Sequence, residues 1–68
     1  MRILRIVDTY RKDVVITLLN NDIYKGFVTD YENEFKSETG NIVVYLENDL
    51  GIFSFDESEI KEIQTITQ

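Results

Sequence analysis

The hydrophobic period of the chain changes near residue 13. Before it, Ile3, Leu4, Ile6, Val7 and Tyr10 recur at three- and four-residue spacing, with Arg2, Arg5 and Asp8 on the other side. That spacing predicts a short amphipathic α-helix over about residues 2–11. A strand competes for the segment, because Ile and Val are weak helix formers. Beyond residue 13, Val14-Val15-Ile16-Thr17-Leu18-Leu19 is β-branched and apolar, which suits a largely buried strand. Asn20-Asn21-Asp22 follows as a turn signal, since Asn and Asp tolerate positive φ and hydrogen-bond their own backbone. Ile23 to Tyr31 then predicts the second strand of a hairpin. Gly26 sits inside that strand, where a glycine serves a bend or a close backbone approach.

The polar stretch from Glu32 to Asn41 predicts a loop. Ile42 to Glu47 predicts a third strand, Asn48 to Gly51 a tight connection, and Ile52 to Phe55 a fourth strand. Asp56 to Glu59 predicts a single helical turn, with Asp56 as its cap and Glu59 three residues on. Ile60, Ile63 and Ile66 recur every third residue, which fits a helix, whereas Thr65-Ile66-Thr67 favours a strand. The expectation is a fifth strand in which a bulge or twist absorbs the period. The fold class expected is mainly β: one domain over residues 1–68, a short N-terminal helix, then five antiparallel strands over about 14–66 in a small, strongly bent barrel of the SH3 or OB type.

Size sharpens this picture. A chain of 68 residues buries only roughly 60% of its unfolded surface, so it is marginal alone. Disulfides, metals and oligomerisation are the usual supports for so small a domain. With no Cys and no His, disulfides and thiolate or imidazole metal sites are excluded, and oligomerisation is left. The same absences remove the Ser-His-Asp triad, the Cys-His pair and any imidazole base. Ser54 has no base beside it in sequence. The expectation is a protein that is not an enzyme and carries no cofactor.

Charge divides the chain. The net charge is −6, which opposes general nucleic-acid binding. Residues 1–13 nevertheless hold Arg2, Arg5, Arg11 and Lys12 against Asp8 and Asp13, a net of +2. Residues 14–68 carry three basic and eleven acidic residues, a net of −8. No apolar run approaches the roughly 20 residues of a membrane helix, so a soluble, cytoplasmic protein with no membrane partner is expected.

The run Val15-Ile16-Thr17-Leu18-Leu19-Asn20-Asn21-Asp22-Ile23-Tyr24-Lys25-Gly26-Phe27-Val28 resembles the first motif of the Sm and Sm-like (LSm) proteins. Asn20 matches the turn Asn of that motif, Asn21 replaces its turn Gly, and Gly26 falls at its bend Gly. The order of parts, a helix and then five strands, is similar over nearly the whole chain. Other SH3-like small barrels share much of the pattern. The resemblance implies a non-enzymatic, RNA-associated scaffold that forms a homo-oligomeric ring. Sm-like rings close through the fourth strand of one subunit and the fifth of the next, which places Ile52, Phe53, Phe55 and Ile63 at the expected interface.

The chain also departs from the family. Where the second Sm motif offers an apolar residue, a basic residue and Gly, it has Phe55-Asp56-Glu57. Charge is thereby reversed where the family grips RNA. Candidate RNA contacts are Arg2, Arg5, Arg11 and Lys12 as a basic rim, and Asn33 and Asn41 as base-reading amides. Tyr31 and Phe35 are candidates to stack a base. The competing reading makes the two Asn turn residues, the aromatics core or interface, and the basic residues a solvated face. Asp56, Glu57, Glu59 and Glu62, with Glu32 and Glu34, match no calcium-loop spacing and read as solvated carboxylates. An acidic module that binds a protein partner through exposed strand edges is the alternative to the RNA-associated ring.

Overall fold

The computed structural model of the chain describes residues 6–66. It contains five strands: β1 (Asp13–Leu18), β2 (Ile23–Glu32), β3 (Val43–Asn48), β4 (Gly51–Asp56) and β5 (Ile60–Thr65). All pair antiparallel in one sheet of order β4-β3-β2-β1-β5. Each strand expected from the sequence is present, with ends displaced by one or two residues.

The β1–β2 hairpin forms because its tip satisfies itself locally. Asn21 adopts φ 73°, a left-handed conformation that Asn tolerates better than most residues. The Asp22 N–H donates to the Asn20 side-chain oxygen at 2.9 Å. Leu18 and Asp22 close the loop through a 2.9 Å backbone bond. The Lys61 ammonium donates to the Asn21 side chain at 3.3 Å and ties the tip to β5.

β2 is the longest strand and serves two neighbours. Ile23 to Phe27 pairs with β1, and Phe27 to Glu32 pairs with β3. Gly26 stands near the handover. A Cβ built there would lie 2.5 Å from the Glu47 carbonyl oxygen, so only glycine admits this approach of β3. Asn48 reinforces the crossing by donating its side-chain amide to the Lys25 carbonyl at 2.9 Å. The register shifts between Val28 and Asp30, leaving Thr29 as a bulge. A second shift lies between Thr17 and Leu18, opposite Lys61. That bulge in β5 is what lets Ile60 and Ile63, three apart, face the same core.

Val14, Ile16, Val28, Val44, Leu46, Phe55 and Ile63 form one buried cluster. All five strands contribute, and no second sheet or α-helix covers them among the described residues. The sheet must therefore curl around its own apolar face. Each of these side chains is worth roughly 1.5–3 kcal/mol of burial. Tyr24, Phe53 and Phe55 close one side, with ring centroids of Tyr24 at 5.4 Å from Phe53 and 4.9 Å from Phe55.

One expectation is corrected. Over the described part of the predicted helix, the chain forms only a 3-10 turn, Ile6–Thr9, and no α-helix is present among the described residues. Ile6, Val7 and Thr9 are β-branched, and Arg11 at φ 61° leaves helical geometry at once. The remainder of that prediction, including Arg2 and Arg5, lies outside the described residues. The expected bent five-stranded antiparallel architecture is present as a sheet that is not closed, since β4 and β5 are its two end strands and do not pair. A second 3-10 turn, Glu57–Glu59, sends the chain from β4 across to β1 instead of back along β4. There the Leu19 N–H donates to the Glu59 carbonyl at 3.0 Å.

Candidate functional site

The open sheet leaves two edges. The outer sides of β4 and β5 pair with no strand among the described residues. Unpaired strand edges template further pairing. The four residues expected at such a contact do not all face outward. Ile52 is 67% exposed, whereas Phe55 and Ile63 are buried in the core cluster. Phe53 is half-buried and stacks near Phe55 with centroids 6.4 Å apart. Alternation along a strand forces this split, because Ile52 and Phe53 must point to opposite faces. Ile52 is the apolar side chain of β4 available to a neighbour.

Between the two edges lies a carboxylate hub. Asp56 caps the second 3-10 turn: it accepts from the Ser58 N–H at 2.9 Å and from the Ser58 hydroxyl at 2.6 Å. Glu59 completes the capping box by accepting from the Asp56 N–H at 3.0 Å. The sequence shows this pair, as the Asp-x-x-Glu spacing predicts. It does not show what reaches the same carboxylate from the β2–β3 loop. The Thr39 hydroxyl donates to one Asp56 oxygen, and the Asn41 amide donates to the other at 3.1 Å. Hydrogen bonds from Ser58 and Thr39 hold the Asp56 carboxyl down at about 2, because each stabilises the charged form. The loop braces itself further, as the Ser37 hydroxyl donates to the Asn41 carbonyl.

Asn41 is therefore committed to Asp56. Asn33 accepts from the Phe35 and Lys36 N–H groups at 3.0 and 3.1 Å and organises the loop's turn. Phe35, four-fifths or more exposed, packs on nothing in the core. The Arg11 guanidinium lies 5.8 Å over the Phe27 ring, and the Arg11 N–H donates to the Val28 carbonyl at 2.9 Å. Lys12 continues that edge, its carbonyl accepting from the Val28 N–H at 3.0 Å. Arg11 and Lys12 thus flank β2, away from Asn33 and Asn41 in sequence. Arg11 and Lys12 both bond Val28 through their backbone and Asn41 bonds Asp56, with no hydrogen bond between the two pairs among the described residues.

One further cluster escaped the sequence reading. Tyr10 and Tyr31 meet edge to face, centroids 5.6 Å apart at 78°. Tyr45 donates its hydroxyl to Glu32 at 2.9 Å, and that bond to a carboxylate pushes the phenol above its ordinary value. Strict alternation from Val28 would turn Tyr31 away from the core; the Thr29 bulge turns it back, and nothing in the sequence brings Tyr10 to it. No grouping of carboxylates with metal-binding geometry occurs among the described residues. None of their helices is long and apolar enough to cross a membrane. No family model, curated protein or solved structure matches the chain.

Proposed function

We propose that this chain is a non-enzymatic scaffold subunit that assembles head to tail through its two end strands, as Sm-like proteins do. The observation that carries the reading is the pair of open edges, β4 at one end of the sheet and β5 at the other. Pairing β4 of one copy with β5 of the next uses two different surfaces, so repetition closes into a ring when the rotation permits. Each backbone bond gained contributes about 0.5–1.5 kcal/mol net. A domain of 68 residues without Cys or His gains most from burial of that kind. Light scattering of the full chain at micromolar concentration tests it: a discrete multiple of 8.0 kDa is expected, and a clean monomer overturns it.

RNA association belongs to the same reading, through a non-standard site. Arg11 and Lys12, with Arg2 and Arg5 of the same +2 segment, supply the charge, and a ring repeats it. The Asn41–Asp56 bond removes the amide from base reading while Asp56 stays ionised. Filter binding should show retention at low salt that falls steeply as salt rises. No retention at low salt ends the RNA part and leaves the assembly part standing.

The second reading is an acidic module that binds a protein partner. It is favoured by the carboxylates Asp30 and Glu32, which have no cationic partner among the described residues. Co-purification of a stoichiometric polypeptide without nucleic acid would select it.

A further inference from the structure

Asp30, Tyr31 and Glu32 occupy the last turn of the pleat in β2, just beyond the Thr29 bulge. Tyr10 reaches them from the end of the first 3-10 turn, and Asn33 and Lys36 complete an open depression of about 490 Å³. Its aromatic wall is the Tyr10–Tyr31 pair, whose near-perpendicular rings form an L. Tyr10 is 44% exposed, so part of its ring is open to a ligand. Its acidic wall is only partly used. Asp30 accepts the Tyr31 N–H with one oxygen at 2.8 Å, and Glu32 accepts the Tyr45 hydroxyl with one oxygen at 2.9 Å. The second oxygen of each carboxylate has no partner among the described residues.

Aromatic faces beside unpaired carboxylates attract a cation, and a planar guanidinium satisfies both at once. It stacks on a ring while its N–H fork meets a carboxylate. The chain already uses one half of this chemistry, where its own Arg11 lies over Phe27. We propose that the Tyr10–Tyr31–Asp30–Glu32 corner is a receptor for an arginine side chain of a basic partner polypeptide. Charge complementarity favours such a partner, because residues 14–68 carry a net −8. Lys36 stands on the rim of the same depression without an ion pair to either carboxylate among the described residues. Its charge opposes the ligand and moderates affinity.

The proposal does not depend on assembly, and its test reads a different signal. A glycine-spaced arginine peptide is titrated into the full chain, followed by backbone amide NMR shifts. Saturable shifts should concentrate on Tyr10 and residues 30–33, with the lysine peptide weaker by roughly threefold or more. Tyr10→Leu and Asp30→Asn should each weaken binding by at least about fivefold. Asp30→Asn keeps an acceptor for the Tyr31 N–H, so it tests the charge without removing the local bond. Lys36→Gln should tighten binding, and Asp49→Asn, in the distant β3–β4 turn, should leave it within about twofold. Shifts spread over the whole acidic surface, or equal losses in Asp49→Asn and Asp30→Asn, overturn the proposal. So does a marked gain of peptide affinity in an Arg2→Gln, Arg5→Gln variant, since the chain's own arginines would then fill the corner.

Discussion

The two ends of the sheet are built on different principles. At one end, the β1–β2 hairpin is closed by contacts two to four residues apart: Asn20 to Asp22, Asn21 to Leu18, Leu18 to Asp22. At the other end, the long β2–β3 loop is held by Asp56, which accepts from Thr39 and Asn41 at separations of 17 and 15 residues. The first end is held by backbone bonds together with the side chains of Asn20, Asn21 and Asp22. The second needs an ionised carboxylate. Protonation of Asp56 in acid therefore loosens the second end.

The largest expected effect lies between the ends, where the two hairpins cross. Gly26→Ala sets a methyl group 2.5 Å from a backbone oxygen that cannot rotate away. A loss of about 1–3 kcal/mol is expected in urea unfolding. An unchanged midpoint would mean that the close approach of β2 and β3 is wrong. Next in size, Asn21→Ala should cost about 1 kcal/mol, because φ 73° suits Asn and not Ala. That loss should vary less between pH 3 and pH 7 than the loss caused by changing Asp56.

Asp56 should show the opposite pattern. Its folded-state value of about 2 lies below the usual 3.8, so its contribution is present above about pH 4. It is lost as pH falls from there towards 2. Asp56→Asn should therefore destabilise the chain at pH 7 and matter progressively less below pH 4. In amide exchange, protection of residues 37–42 should fall in acid before that of residues 18–22. Equal acid sensitivity at the two ends would erase the distinction.

The same contrast explains what the sequence shows. The β-branched run from Val14, the Asn-Asn-Asp turn, the Asp56–Glu59 box and the bulge needed between Ile60 and Ile63 are all short-range signals. Each can be read in a window of a few residues. Thr39 and Asn41 meeting Asp56 is a product of strand register, as is Tyr10 meeting Tyr31, and no window contains it. The N-terminal segment misleads for another reason. Its apolar spacing fits a helix, but β-branched Ile6, Val7 and Thr9 yield only one 3-10 turn within the described residues. The candidate interface was legible as a strand but not as a face. Ile52, Phe53 and Phe55 read as one apolar edge, yet the β3–β4 register turns Phe53 towards Leu46 and Phe55 towards Val44.

That register also selects the variant that tests assembly most cleanly. Phe53 packs on Tyr24, so changing it disturbs the fold. Ile52 is two-thirds exposed on the end strand and can be altered without touching the core. The measurement is the solution mass of the full chain by light scattering, for the parent and for Ile52→Lys, at micromolar concentration. Assembly through the end strands gives a discrete multiple of 8.0 kDa for the parent and a shift towards monomer in the folded variant. A parent that is monomeric, or an assembly unmoved by Ile52→Lys and by a proline placed in β4, contradicts it.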